Sequence, residues 1–412
     1  MKFVINDSLA LSRAPEGPVA SFIISFAEWL VDRGYGLVSL RNQVLMATGF
    51  SRWLQHEAID LQSICERHVE RYLVDRAQYR RPKLGDGAAL RHLLDFLRSE
   101  HAIDEEIKEE RSPSPIEQHV LAYEAYLQDA RALSRQTIIN YRPFVRDFLT
   151  YRFREGDVSL AQLRAADVTD FVQQKVSRVN MRRAKILTTA LRSFLSYVRY
   201  RGDITSDLAA AVPIVANWSL SSIPRAIGRD EVTRLLASID RQTPIGCRDY
   251  AMILALARLG LRSSEVVSLE VDDIDWVSGE IHVLGKNGQR NDLPLPADVG
   301  EAIADYLRNG RPRNASRRVF LRDKAPIRGF DGPSGLGCVI RRALRRAGID
   351  SPTTGTHQFR HGLASDMLRG GASLGEIGEV LGHRHPQTTA IYAKVDLNAL
   401  RPLALPWPGE VQ

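Results

Sequence analysis

Cysteine is scarce in this chain of 412 residues: Cys65, Cys247 and Cys338 are all there is. Three scattered cysteines build neither a disulfide frame nor a zinc site, and they read as small residues in a reducing compartment. Long apolar runs are missing too. None approaches the roughly 18 residues that a bilayer span requires, so no membrane association is expected. Residues 1–17 lack a basic stretch followed by an apolar one, so no signal peptide is expected and the localisation reads as cytoplasmic. No carboxylate cluster suits a pair of magnesium ions. No metal is therefore expected from the residues themselves.

What is present is an ordinary globular composition, 44% hydrophobic and 25% charged, with length for two to four domains. The formal net charge is +7, which favours a polyanionic partner. The charge is uneven: residues 1–112 carry a net −2, residues 113–227 a net +6 and residues 228–402 a net +4.

Two stretches read as joints. Ser112-Pro113-Ser114-Pro115 follows an acidic run from Asp104 to Glu110, and residues 212–228 lack helical periodicity. They divide the chain into an N-terminal helical part (1–112), a second helical part (113–204), a linker (205–227), a larger third part (228–402) and a tail (403–412). The expected fold class is mainly α, of α+β type. The first two parts read as copies of one plan. Ser134 is placed to cap a helix carrying Ile138, Tyr141, Val145, Phe148 and Leu149, and Ser39 precedes a similar series of Val44, Leu45, Phe50, Trp53 and Leu54. Further helices are expected near 167–176 and 182–200. The third part opens helically and then turns to a small antiparallel sheet: Asp275-Trp276-Val277, Glu280 to Leu284, and Asp292 to Leu295. The remainder is expected to be helical to about residue 400.

Six dispersed residues stand out in the third part. Arg262 has Glu265 three positions on, where a carboxylate can hold a guanidinium fork. His357 and Arg360 are three apart in His357-Gln358-Phe359-Arg360-His361. On a helix they aim together, one suited to a proton and the other to phosphate charge. His361 reads as a supporting or core residue. Ser373-Leu374-Gly375-Glu376 has the capping-box pattern, Gly382 can end that helix and leave His383 at its exit, and Pro386 suits the start of another. Tyr392 is expected on that last helix. Lys286 lies in a turn between Gly285 and Gly288, where a flexible stem can reach into a cleft.

Taken together, Gly-Leu-Arg-x-x-Glu, Gly-Lys, His-x-x-Arg-His, Leu-Gly-His and Ile-Tyr follow the order and spacing of the tyrosine recombinases, the phage integrase family, which residues 228–402 resemble. Residues 113–204 look like that family's helical core-binding domain, and residues 1–112 are an addition to its minimal plan. The resemblance implies a site-specific DNA recombinase that cuts and rejoins DNA through a 3′-phosphotyrosine. Tyr392 would be the nucleophile, Arg262 and Arg360 would hold the non-bridging oxygens, and His383 would add a donor. Lys286 would protonate the 5′-oxygen, His357 would assist as acid–base partner, and Glu265 would brace the site. Double-stranded DNA is the expected partner, with a homo-oligomer, a tetramer on paired sites, and accessory recombinases as possible company. Two departures are visible: Leu259 stands where the family often has Thr, and Gln289 and Asn291 stand where it often has basic residues. Arg182, Arg183, Lys185 and Arg192 are expected to turn a helix of the second part toward DNA.

The expected programme is integration or transposition of a mobile element. A chromosome-resolving recombinase and a topoisomerase of type IB share the chemistry. A DNA-binding factor without catalysis would have no use for the whole residue set.

Overall fold

The computed structural model describes residues 3–6, 9–104, 113–154, 156–215, 223–285, 288, 290–351 and 353–395. Lys286 and residues 396–412, which include the tail, fall outside them. The chain divides into two compact units, one of residues 1–105 with 222–412 and the other of residues 106–221.

The described residues of the second unit include the helices α5 (Pro115–Asp129), α6 (Arg135–Phe153), α7 (Ala165–Val176) and α8 (Met181–Tyr200). Ser134 accepts the Thr137 N–H and so caps α6 as its position foretold. Apolar residues at helical spacing make the core, with Val145, Phe148, Leu149, Leu187, Leu191 and Phe194 all buried. Burying each such side chain contributes about 1.5–3 kcal/mol. Leu208 and Val212 join this core, so the first half of the expected linker is packed and not free.

In the other unit, the N-terminal helices are α1 (Ile23–Asp32), α2 (Leu37–His56), α3 (Glu66–Ala77) and α4 (Asp86–Ser99). A short hairpin of β1 (Phe3–Asn6) and β2 (Leu9–Leu11), absent from the sequence reading, precedes them. Helix α2 starts before Ser39: its N-cap is Gly36, which makes no side-chain cap. These helices have a core of their own around Phe26, Phe50, Leu93 and Leu97. They also touch the third part, where the Ile327 N–H donates to the Arg33 carbonyl at 2.9 Å. Gly34 has φ +79°, and a Cβ there would meet the Ile327 side chain at 2.4 Å.

The third part is built on α9 (Arg229–Ala237), the buried α10 (Pro244–Leu259) and α11 (Ser263–Ser268). A sheet follows, β3 (Ile274–Asp275), β4 (Glu280–Leu284) and β5 (Arg290–Pro294), antiparallel in that order. Trp276 and Val277 belong to the turn and not to the first strand, because the Asp275 carboxylate accepts the N–H groups of Val277 and Ser278 and bends the chain there. Then come α12 (Ala297–Asp305), α13 (Ser334–Arg346), α14 (His357–Arg369), α15 (Leu374–Val380) and α16 (Pro386–Thr389). Residues 311–333 are irregular where helix was expected. Their backbone is satisfied in part by Arg311, whose guanidinium donates to the carbonyls of Ser316, Arg318 and Val319. Among the described residues no helix is long and apolar enough to cross a membrane.

Candidate active site

Helix α10 ends on Gly260, at φ +60°, and this left-handed residue turns the chain into Leu261 and Arg262. Arg262 was expected inside a helix, sharing a face with Glu265. It is instead the N-cap of α11. The buried Glu265 carboxylate reaches back and uses both oxygens: Oε2 accepts the Arg262 backbone N–H and Oε1 accepts its guanidinium, each at 2.7 Å. One carboxylate thus closes the helix start and aims the side chain. Among the described residues the rest of the fork meets no other acceptor, and its N–H groups suit an anion.

Arg360 is in the first turn of α14 and is only 5% exposed. Its guanidinium donates to two backbone carbonyls, Gly260 at 2.8 Å and Leu381. Burial, with Arg262 nearby, pulls its pKa down to about 10, and Glu265 and Tyr392 oppose the shift. It stays charged at neutral pH. Both arginines line a small cleft with Glu265, Asn291 and Gly382. Asn291 on β5 approaches Gly382, where an added Cβ would lie 3.0 Å from its amide nitrogen. That neutral amide occupies a wall of the cleft between the two arginines' elements.

The Ser373 capping box opens α15: Ser373 Oγ accepts the Glu376 N–H, and the Glu376 carboxylate accepts the Ser373 N–H. Gly382, at φ +57°, ends it and delivers His383. His383 Nδ1 lies 2.8 Å from the hydroxyl of Thr389, a buried residue that the sequence reading passed over. Burial first, then the charges of Arg360 and Arg262, lower the His383 pKa to about 4. The ring is neutral at pH 7.

Tyr392 is not on α16. It sits in the 3-10 turn Ala390–Val395 that follows, 1% exposed, packed with Ala364, Ile377 and Leu381. The His383 ring is nearly parallel to it, with centroids 6.4 Å apart. Its hydroxyl is 3.0 Å from His361 Nδ1. Burial and the neighbouring His357 and Arg360 hold the His361 pKa below the usual imidazole value. With that ring neutral and its proton on Nε2, the phenol O–H donates to Nδ1. Burial raises the phenol pKa, and Arg360 opposes the rise. His357 opens α14 from an exposed position, its ring 6.3 Å from that of His361.

The structure therefore gathers Arg262, Glu265, Arg360, His361, His383 and Tyr392, with His357 at the edge. It makes His361, expected only as support, the residue that touches the phenol. Their sequence separation of 31 leaves no local signal for that bond. In residues 106–221, Arg182, Arg183 and Lys185 are exposed on the first turns of α8. Arg192 is half-buried, and its guanidinium donates to the Val212 and Pro213 carbonyls at 3.1 and 2.9 Å. Through one guanidinium nitrogen Arg192 pins the chain after α8.

Residues 225–398 match the phage integrase family, and residues 120–202 match the phage integrase N-terminal SAM-like domain. A putative integrase/recombinase, y4rA, of Sinorhizobium fredii is 79% identical, with each chain covered in full. The tyrosine recombinase XerD of Listeria monocytogenes serotype 4b is 30% identical over 64% of this chain and 90% of its own. Among solved structures, the XerH site-specific recombinase bound to palindromic difH substrate has a TM-score of 0.55 at 18% identity, covering 71% of this chain and 97% of that one. A lambda integrase dimer bound to a COC′ core site has a TM-score of 0.53 at 18% identity, covering 68% and 96%. At these identities the two structures speak for the fold.

Proposed function

We propose that this chain, which belongs to the phage integrase family of tyrosine recombinases and catalyses DNA strand exchange as a site-specific recombinase, does so through Tyr392. The phenol oxygen attacks the scissile phosphorus. A bond forms between that oxygen and phosphorus as the bond to the 5′-oxygen breaks, leaving a 3′-phosphotyrosine and a free 5′-hydroxyl. A phenol ordinarily titrates near 10, and burial pushes Tyr392 above that, so its proton must be removed as it attacks. His361 lies within reach of that proton, with His357 assisting. Lys286 supplies the proton to the leaving 5′-oxygen. Arg262 and Arg360 hold the non-bridging oxygens, where charge grows during transfer, and His383 adds a donor through Nε2. Attack by a second DNA 5′-hydroxyl reverses the step and rejoins the strand, so the ester conserves the bond without a cofactor.

The observation that carries this reading is the Tyr392 hydroxyl at 3.0 Å from His361, on a helix whose Arg360 shares a cleft with Arg262. Tyr392→Phe should abolish the covalent protein–DNA adduct and leave DNA affinity unchanged. A persisting adduct would overturn the assignment.

The substrate is double-stranded DNA at paired specific sites, bound by a homo-oligomer that works as a tetramer in the cytoplasm. Arg182, Arg183 and Lys185 on α8 contact its phosphates. The programme is integration or transposition of a mobile element, in line with the integrase name of the 79%-identical relative. Chromosome resolution by the same chemistry is the second reading. Junction sequencing of DNA flanking the gene separates them: an excised circle supports the first, a resolved chromosome dimer the second.

A further inference from the structure

A groove of about 1400 Å³ opens in the N-terminal helices, lined by residues other than those of the Tyr392 site. Its volume exceeds the roughly 300–1,000 Å³ of pockets for small molecules, which points to a polymer. Its charge is one-sided. Arg13, Arg52, Arg80 and Lys83 line it and are exposed, and Arg322 of the third part lines it too. Among the described residues Arg52 makes a surface pair with Glu16 at 3.5 Å and no other, and no carboxylate pairs with Arg13, Arg80 or Lys83. The one acidic residue of the lining is Asp86, and it is committed: Oδ2 accepts from Arg76 at 2.6 Å and from the Lys83 N–H at 3.0 Å. The floor is neutral and tied together, with His92 Nδ1 2.8 Å from Gln43 Oε1 and Nε2 3.3 Å from the Tyr35 hydroxyl.

The helices around this groove repeat the plan of α5–α8. In each set a long second helix, of 20 and 19 residues, is followed by a 3-10 turn and a 12-residue third helix. The third helices run Glu66–Ala77 and Ala165–Val176, a constant offset of 99 residues. Both carry a basic residue in the last turn, Arg76 and Lys175. In both, cations gather where the third helix passes to the fourth: Arg80, Arg81 and Lys83 in the first set, Arg178, Arg182, Arg183 and Lys185 in the second. The position in the plan is shared, whereas the face of the fourth helix is not. Helix α4 has no cation in its first turn and closes against the core with Leu90, Leu93 and Leu94.

We propose that the N-terminal helices are a second DNA-binding unit, and that this groove takes the phosphate backbone of duplex DNA in addition to the duplex contacted by α8. The comparison of the two cationic junctions rests on the reading that α8 contacts DNA; the charge and size of the groove do not. Binding here is read through charge, so it depends steeply on salt and little on base sequence.

The test uses the full chain and a long mixed-sequence duplex, with fluorescence anisotropy across a salt series. One variant combines Arg13→Ala, Arg52→Ala, Arg80→Ala and Lys83→Ala. A second combines Arg182→Ala, Arg183→Ala and Lys185→Ala. If each lost cation frees one phosphate, the first variant lowers the slope of log affinity against log salt by about 3–4 units. Replacing the three arginines by lysine, with Lys83 kept, restores most of the slope. An unchanged slope in the first variant overturns the proposal. So does tighter binding of single-stranded DNA or RNA than of duplex, when that preference disappears in the variant. Should the fourfold variant melt early, the exposed pair Arg80→Ala/Lys83→Ala is used, with half the expected change. A second variant that binds as the parent does would refute the α8 contact while leaving the groove standing, so the two readings fail separately.

Discussion

Replacing Glu265 by glutamine keeps the shape of a 4%-exposed side chain and removes one of two matched acceptors. In the native site one oxygen takes the Arg262 backbone N–H and the other takes its guanidinium. An amide offers a single oxygen and turns a donor toward whichever partner is left. The loss is one hydrogen bond to a charged group, about 1.5–3 kcal/mol. Some of that falls on folding, because the backbone bond closes the start of α11. The part that falls on the barrier slows cleavage by up to about 10- to 150-fold, at 1.36 kcal/mol per factor of ten. The carboxylate also holds up the Arg360 pKa, so its removal pushes that group below about 10 while leaving it charged at neutral pH. The assay is single-turnover formation of the covalent adduct on a duplex carrying the recombination site, with affinity and melting measured separately. Cleavage within twofold of the parent, alongside a lowered melting temperature, would show that the brace serves only the helix and would refute the reasoning.

Because the His361 pKa lies below the ordinary imidazole value, its acceptor form survives acidification that would protonate a free ring. Cleavage by the parent is therefore expected to hold as pH falls through about 6.5 and to decline only below it. A decline centred at or above 6.5 would exclude His361 as the acceptor, and His361→Ala should slow adduct formation without weakening DNA binding. Arg192→Ala should lower stability by about 1–3 kcal/mol in denaturant titration, with an unchanged salt slope. Arg183→Ala should do the reverse, reducing the slope by about 1 unit at constant stability. Gly260→Ala forces a side chain into a left-handed residue, and its Cβ would meet Leu381 and Leu363 at 2.8 and 2.9 Å. A loss of at least about 1–2 kcal/mol in melting measurements is expected, and a neutral result would count against the turn as drawn.

The helices were legible because their apolar residues recur at the period the core demands, and the start of α6 because Ser134 can accept an N–H. The same logic placed Ser373 and Gly382 around α15. It offered no cap for α2, which Gly36 and not a polar side chain leads. It also gave Arg262 a position inside a helix, since three-residue spacing fits a capping box as well as it fits a shared face. The bond between Tyr392 and His361 was beyond sequence reasoning, because packing of α14 against the last turn decides which of two histidines meets the phenol. The acceptors of Arg192 were out of reach for a related reason: a helix pattern counts cations but not the carbonyls that the chain later folds back to offer them. Lys286 lies outside the described residues, and its expected part is carried only by the proposal.

The two anchors of Arg360 are carbonyls of the main chain, at Gly260 and Leu381. No amino-acid exchange at a neighbouring position can delete a carbonyl, so the aim of this cation is insulated from point mutation in a way that the Arg262 brace is not. Sequence drift can disturb it only by moving the path of the chain. One of the two anchors is itself the left-handed Gly260 and the other, Leu381, precedes the left-handed Gly382, so these two turns are where inherited variation can re-aim the cation.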